Sequence, residues 1–381
     1  MIKKKILIIS PVGAVGGREL EVGFIASTLS DLYDVKVIST GNYTRDSQVI
    51  TFKGFSFTGV NALIFKQNFY IRIFIKLVSL FKQNQINSYS ALSNAFVKKI
   101  LNIKLKRINI LKEEILKTDL VLFCAQLTSN YLVDVIPYAK NNNKPVLFRT
   151  TGFIDENKDF SYLKYIDLFI HHSKKNAERL DNNYPFKIID QCSFNEDEFL
   201  KIPVLDRKVH NFMTVSRIDK NKNINVVINS FCKTKDPKDM LYVVGSGPDL
   251  ERLKAVTKDE RVVFTGFIPN DELQKIHKIC ECVIISFYKK ESGPITAIEA
   301  MASGKVIISS KTGAMTERLK DEFSFWHDND EVNLFNIINE VKKLEVEKVK
   351  RISKQTKDRY NSKYSKVNIA NKYKECISFY I

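Results

Sequence analysis

Two carboxylates share the stretch "ESGPITAIEAMASGK", Glu291 to Lys305, and the second of them stands where a charge is hard to keep. Gly293 and Pro294 suit a helix start, with Pro at the first helical position, and Ser303-Gly304 suits a stop, so a helix is predicted over Pro294 to Ser303. At about 100° per residue Ile295, Ile298 and Ala302 share one face, while Ala297, Ala300 and Met301 make the remainder apolar. Thr296 and Glu299 are its polar members. A helix apolar almost all round is buried, and a buried carboxylate is costly unless donors surround it. Adjacent hydroxyls of a sugar or ribose would satisfy Glu299; so would a buried Lys or Arg of the core, and the local pattern leaves both open. At the helix start the backbone N–H groups of Ile295 and Thr296 suit an anion, phosphate above all. A hydroxyl acceptor and an anion site within one turn describe a pocket for a nucleoside diphosphate.

Such a pocket needs a scaffold, and the chain supplies an alternation of strands and helices. "KILIIS" (Lys5 to Ser10) reads as a strand, "PVGAVGGRE" as a Gly-rich loop, Glu19 to Leu32 as a helix and "VKVIST" (Val35 to Thr40) as a second strand. Further strands are expected at Leu120 to Ala125, Val146 to Arg149 and Leu168 to His171. The alternation restarts with Asn211 to Ser216, Leu241 to Gly245, Arg261 to Thr265, Cys282 to Phe287 and Lys305 to Ser310. This is an α/β protein of two successive units with parallel sheets. The expected first domain is 1–205, completed by a C-terminal helical segment at about 360–381, and the second is 206–359. The division falls near Pro203 to His210, where a Pro and a short charged run interrupt the pattern. The tail, Lys357 to Ile381, carries five aromatic residues on helix-forming sequence and is expected to pack across both domains.

With these elements in place, the chain resembles the family-four retaining glycosyltransferases of the GT-B fold. The resemblance rests on Glu291, seven residues and then Glu299 leading into "EAMASGK"; on "VSRIDKNKN", a strand followed by Arg217 and, five residues on, Lys222; and on "VVGSGPDLERL" with its Gly-x-Gly-Pro turn at Gly245 to Pro248. It extends to "VVFTGFIPNDEL", at Gly266 and Phe267, and to "PVGAVGGRELEV", with Gly16, Gly17 and Glu19. The order and spacing match from about Lys3 to Lys320.

The resemblance implies two Rossmann-like domains facing across a cleft that holds a nucleotide-sugar, with the C-terminal helix returning to the first domain. Arg217 and Lys222 would neutralise the donor diphosphate as the bond to the sugar breaks. Glu299 would accept hydrogen bonds from the ribose and Glu291 would hold sugar hydroxyls near the reacting carbon. The donor site would be completed by Ile295 and Thr296, by Gly293, by backbone groups at Phe267 facing the base, and by Gly16 and Gly17, which let the first domain approach the phosphates. Transfer would retain anomeric configuration, the departing phosphate taking the acceptor proton. No cofactor and no metal are expected.

The chain departs from the family pattern at three places. Ser292-Gly293-Pro294 follows Glu291 where Gly-x-Gly is common, so the donor sugar does not carry over. Thr151-Gly152 stands where many members have His-Gly; with His171 and His172, one strand later, it forms the acceptor-side candidate set. Cys192 to Asn195 replaces an Asn-Gly-hydrophobic-Asp run. Elsewhere, Gly245 and Gly247 are read as shaping a turn. The spacing of Gly13, Gly16 and Gly17 does not match a dinucleotide fingerprint, so a nicotinamide cofactor is rejected. Asp328-Asn329-Asp330 is read as a turn and helix cap rather than a metal motif.

A formal net charge of +17 makes nucleic acid, an anionic membrane surface or phosphorylated ligands the partners to consider. About half of the excess lies between Asn61 and Lys117, where nine Lys and two Arg meet only Glu113 and Glu114. Within it, "FYIRIFIKLVSLFKQ" (Phe69 to Gln83) places positions 72, 76, 79 and 82 on one helical face of an otherwise apolar segment. That suits a helix on an anionic membrane, via residues 69–107, and equally a core helix with a solvated stripe. No recognised RNA motif or interleaved aromatic and basic sheet face supports nucleic acid. No apolar run is long enough to span a bilayer, no signal peptide is read, and six cysteines without paired spacing suit a reduced cytoplasmic protein.

The expected activity is transfer of a sugar from a nucleotide donor, UDP favoured over GDP, to a glycan acceptor, lipid-linked, in bacterial O-antigen, capsule or other cell-surface polysaccharide synthesis. The expected location is the cytoplasm, peripheral on the inner face of the membrane. Transfer to a soluble acceptor, a GT-B epimerase and a basic nucleic-acid-binding protein are the alternatives.

Overall fold

The computed structural model describes residues 3–41, 47–73, 92, 101–155, 160–180, 183–288 and 291–381. Most of the basic, aromatic segment 69–107, including Lys76, Lys82, Lys98 and Lys99, lies outside the described residues. The chain divides into two compact units. The first comprises Met1–His171, Ala177–Ile189 and Ala370–Ile381; the second comprises His172–Asn176 and Asp190–Ile369. The second unit thus begins upstream of Pro203, where composition alone suggested the division.

In the first unit the strands β1 (Lys5–Ser10), β2 (Asp34–Ser39), β3 (Ser56–Gly59), β4 (Leu120–Ala125), β5 (Val146–Thr150), β6 (Leu168–His171) and β7 (Phe186–Ile188) form one sheet in the order β3-β2-β1-β4-β5-β6-β7. In the second, β8 (Asn211–Val215), β9 (Met240–Val244), β10 (Val262–Gly266), β11 (Cys282–Ile285), β12 (Val306–Ser310) and β13 (Ser324–His327) are ordered β10-β9-β8-β11-β12-β13. All described strand pairs are parallel. Each unit is therefore a doubly wound, Rossmann-like α/β body.

Parallel strands are covered by helices on both faces, which explains why the central ones are nearly continuous apolar runs. β4 (LVLFCA) and β11 (CVII) are buried at every position. Burial of each such Ile, Leu or Phe contributes roughly 1.5–3 kcal/mol. The strands absent from the sequence reading, β3, β7 and β13, are edge strands of three or four residues. With one neighbour each and partial exposure they need no long apolar run, so they carry little local signal.

The order of each sheet reverses once, between β1 and β4 in the first unit and between β8 and β11 in the second. Loops leaving the carboxyl ends of strands at such a reversal diverge to opposite sides and leave a crevice, the usual ligand position in open α/β sheets. The loops after β8 and β11 carry Arg217, Lys222 and Glu291.

The predicted helix over Pro294 to Ser303 is shorter than expected. It runs Thr296–Ala302 with Ile295 at its cap, so Pro294 precedes the first turn instead of opening it. All seven residues are buried, as its nearly all-round apolar sequence requires. Ser303-Gly304 ends it, Gly304 taking a left-handed φ of 66°, and the Ser353 hydroxyl of helix Val346–Lys363 donates to the Gly304 carbonyl at 2.6 Å. The tail forms helices Val346–Lys363 and Lys366–Ser378. Tyr360 is buried in the second unit, donating to Glu196 at 2.5 Å, and Tyr373 is buried in the first.

Candidate active site

In the second unit, the loop "SRIDKNKN" after β8 is organised by its own side chains. Asp219 caps a single 3₁₀ turn at Lys220–Lys222, accepting from the Asn221 N–H at 3.0 Å. Asn223 follows in the left-handed region, φ 53°, and its side-chain amide donates to the Ser286 hydroxyl at 3.1 Å. The Tyr288 N–H donates to the Asn221 carbonyl at 3.2 Å. These bonds stitch the β8 loop to the β11 loop. The consequence is contact between Lys222 and Glu291, an ion pair whose side chains are only 23% and 19% exposed. The Lys222 ammonium also lies 4.6 Å from the Phe287 ring centroid, a cation–π contact. Arg217 is 72% exposed, with Asp219 at 3.7 Å, and keeps most of its donors available.

The turn Gly245 to Pro248 after β9 braces this loop. The Ile218 N–H donates to the Ser246 carbonyl at 2.9 Å. A Cβ on Gly245 (φ 135°) would lie 1.9 Å from the Ser216 carbonyl oxygen, and one on Gly247 (φ 159°) would lie 2.2 Å from that of Ile218. Only glycine allows so close a backbone approach. Both glycines therefore shape the turn under Arg217, as their spacing suggested.

Glu299 is 1% exposed. Its partner is neither Lys nor Arg: the Asn270 side-chain amide donates to Oε1 at 2.9 Å. Burial pushes this carboxyl up to about 7, and the Asn270 bond only partly opposes the shift. Asn270, four residues beyond Gly266 at the end of β10, is itself anchored where its carbonyl accepts from Asn195 at 3.3 Å. Thr296 donates its hydroxyl to the Val215 carbonyl at 3.2 Å, tying the helix start to the end of β8. Phe267 is 54% exposed directly after β10. Gly293 lies in the tightly packed loop between Glu291 and the helix.

The first unit's candidates differ in kind. Gly16 caps helix Gly17–Ser30, its N–H donating to Gln48 at 2.9 Å, while Glu19 accepts from the Gly13 N–H at 2.7 Å and closes the loop. A Cβ on Gly17 would meet nothing within 4 Å. The Thr151 N–H continues the β5 ladder to the Ala125 carbonyl at 2.9 Å, and Gly152 has φ 79°. His171 is 1% exposed, bonded through Nδ1 to the Thr150 hydroxyl at 2.8 Å and stacked on Phe169. Burial, with Arg149 nearby, pushes its imidazolium down to about 3, so the ring is neutral near pH 7 and serves packing. His172 belongs to the second unit, where its ring packs against Gly293.

Asp330 caps helix Glu331–Lys342, accepting from the Asn333 N–H at 2.8 Å, and Asn329 makes the turn at φ 63°. Unforeseen by sequence reasoning were Asn270, Phe287 and the pair Arg318–Asp190 described below. Asn270 had a partial signal, standing inside the quoted "GFIPNDEL", but its pairing to Glu299 is purely tertiary.

Two doubly wound α/β units with charged loops at the strand reversal of the second define the GT-B class of glycosyltransferase folds. The family model for glycosyl transferases group 1 matches residues 195–359. That segment, under half of the chain, is similar to the group 1 glycosyltransferases. The chain is similar to lipopolysaccharide 1,2-N-acetylglucosaminetransferase of Salmonella typhimurium, 27% identical over 173 residues, covering 42% of this chain and 45% of that protein. It is also 31% identical over 113 residues to an uncharacterised glycosyltransferase of Methanocaldococcus jannaschii, covering 28% of this chain and 29% of that one. It thus spans less than half the length of these relatives. Among solved structures, HepE of Anabaena in complex with UDP and glucose superposes with a TM-score of 0.71 at 16% identity, covering 98% of this chain and 99% of that one. A glycosyltransferase from Rickettsia africae gives 0.71 at 18% identity, covering 98% and 99%.

Proposed function

We propose that the protein is a retaining glycosyltransferase moving a sugar from a nucleotide-sugar, UDP-linked by preference, to a glycan acceptor carried on a lipid, in the synthesis of a cell-surface polysaccharide such as lipopolysaccharide O-antigen or capsule. The observation that carries this reading is the Lys222–Glu291 pair at the strand reversal, beside an exposed Arg217 and within one unit of the buried Glu299. The Salmonella relative transfers a sugar in lipopolysaccharide, and the HepE neighbour holds UDP and glucose; both support the choice of class.

The chemistry follows from the charges. As the bond from the anomeric carbon to the diphosphate oxygen breaks, negative charge grows on that oxygen, and Arg217 and Lys222 neutralise it. Lys222 exchanges part of its contact with Glu291 for the phosphate, which frees the Glu291 carboxylate to accept sugar hydroxyls. Glu299 accepts from the ribose, Ile295 and Thr296 offer backbone N–H groups to the diphosphate, and Gly293 and Phe267 line the sugar and base ends. The acceptor oxygen bonds to the anomeric carbon on the face the phosphate leaves, and the acceptor proton passes to the departing phosphate oxygen. No metal takes part. Thr151 and Gly152 contribute on the acceptor side.

We place the enzyme at the cytoplasmic face of a membrane. Phe69, Tyr70 and Ile73 are exposed around Arg72, and Leu105 is exposed between Lys104 and Lys106. Apolar side chains bracketed by cations suit an anionic lipid surface. Replacing Arg72, Lys104 and Lys106 by Gln should release the protein from anionic vesicles, and unchanged co-sedimentation would contradict this placement. The donor reading is tested by a thermal-shift panel of UDP, GDP and ADP with their common sugars. Stabilisation by UDP-sugars is expected; a preference for GDP-sugars would change the base, and stabilisation by none would overturn the donor site.

A further inference from the structure

The loop that carries Glu291 has a second anchor besides Lys222, and nothing in the reaction chemistry requires it. Arg318, at the end of helix Met315–Arg318, is completely buried. Its guanidinium grips Asp190 with two donors, Nε to Oδ2 at 3.0 Å and Nη2 to Oδ1 at 2.5 Å. A third bond runs from Nη1 to the Pro294 carbonyl at 2.7 Å, and Nη2 also reaches Gln191 Oε1 at 3.3 Å. Gly293 lies flush against the same group. A Cβ there would come within 3.0 Å of the Ala314 methyl and the His172 ring and 3.1 Å of Arg318 Nη2. From below, the Ala314 N–H donates to the Ser292 carbonyl at 2.9 Å, and Gly313 leaves no room for a side chain under the Glu291 and Ser292 carbonyls.

A buried ion pair is a weak stabiliser compared with a well-packed apolar pair, so its value lies in the geometry it enforces. Here the enforced geometry is that of Ser292-Gly293-Pro294. Only a guanidinium fork can hold a carboxylate in two-point contact and a backbone carbonyl at once; an ammonium is a single point charge on a flexible stem.

We propose that Arg318, oriented by Asp190, is a positioning residue for Glu291: it fixes the Pro294 carbonyl and the glycine beside it, so that the Glu291 carboxylate meets the hydroxyls of the donor sugar at one distance. The proposal rests on the reading that Glu291 contacts that sugar. The loop then sets donor-sugar preference through its backbone, while the nucleotide is held elsewhere.

The experiment compares two affinities by calorimetry, for the nucleotide and for the nucleotide-sugar that most stabilise the wild-type protein in the panel above. Arg318→Lys keeps a cation for Asp190 but cannot reach Pro294 at the same time. It should leave nucleotide affinity within about twofold and reduce the additional affinity given by the sugar about tenfold, with kcat falling in parallel. Glu291→Gln should produce the same loss, and the double variant Arg318→Lys/Glu291→Gln should lose no more than Glu291→Gln alone. Multiplying losses in the double variant, or equal weakening of nucleotide and nucleotide-sugar by Arg318→Lys, would overturn the proposal. A Glu291→Gln protein that keeps the full sugar increment would instead refute the role of Glu291 itself. If Arg318→Lys does not fold, Asp190→Asn, which loosens the same fork, is measured by the same criteria.

Discussion

The two units share one architecture and use it differently. In the second, the loops at the strand reversal hold charged side chains that keep part of their surface in water, each with an opposite charge close by: Lys222 with Glu291, Arg217 with Asp219. In the first, the corresponding candidates are backbone turns and a histidine sealed in the core, Gly16, Gly17, Gly152 and His171. The same fold thus supplies exchangeable charges in one unit and close backbone approach in the other. On the proposed reading these charges move to a diphosphate, which requires them to stay partly hydrated, because a fully buried ammonium would have lost its charge or locked onto one partner.

That contrast can be broken by experiment. The largest effect is expected from Lys222→Ala, which on the proposed reading removes a cation that neutralises the leaving group: turnover should drop on the order of 10²–10³-fold with little change in melting temperature. Steady-state rates with the stabilising donor check it, and retained turnover would mean the second unit's charges are structural. Next comes Gly245→Ala. A methyl group 1.9 Å from the Ser216 carbonyl at φ 135° should cost roughly 2–4 kcal/mol of stability and disturb the Arg217 loop, read by denaturant melts and by loss of donor-induced stabilisation.

Glu299 offers a test on a buried acid of the second unit. Its folded-state value, about 7, lies above the ordinary 4.5, so the neutral form is favoured in the folded protein. The folded state is unpenalised below the unfolded value; stability falls as pH rises from about 4.5 to about 7, by at most on the order of 3 kcal/mol, and stays reduced above that. Glu299→Gln should remove this slope in melts across that window. If the carboxylate accepts from ribose, wild-type donor affinity should rise as pH passes through 7. The variant should bind donor about tenfold more weakly at pH 8. A flat wild-type affinity profile would remove the ribose role. The smallest effect is expected in the first unit: His171→Asn should lower the melting temperature by an amount equivalent to about 1–2 kcal/mol, through the lost Thr150 bond and ring stacking, without reshaping the pH–rate profile between 5 and 8. A lost limb in that profile would return the histidine to the chemistry.

Much of this was legible before any coordinates. The central strands declared themselves because a parallel strand covered on both faces must be apolar throughout, and the carboxylate at Glu299 stood out because the other six residues of its helix are apolar but for Thr296. The glycines at Gly245 and Gly247 announced a turn because no other residue tolerates that backbone. These are local constraints, written in residue type and spacing. The edge strands, the early passage into the second unit at Asp190, and the start of the helix at Thr296 were not legible, since each depends on neighbours distant in the chain. Partnership was the least legible of all. Asn270 meets Glu299, Lys222 meets Glu291, and Arg318 joins Asp190 to Pro294 across 128 and 24 residues. The sequence by itself determined which groups would need a partner, because desolvation penalises every buried charge regardless of context. Only the tertiary structure decided who that partner is, because hydrogen bonds act within about 3 Å and the fold alone sets what lies that close.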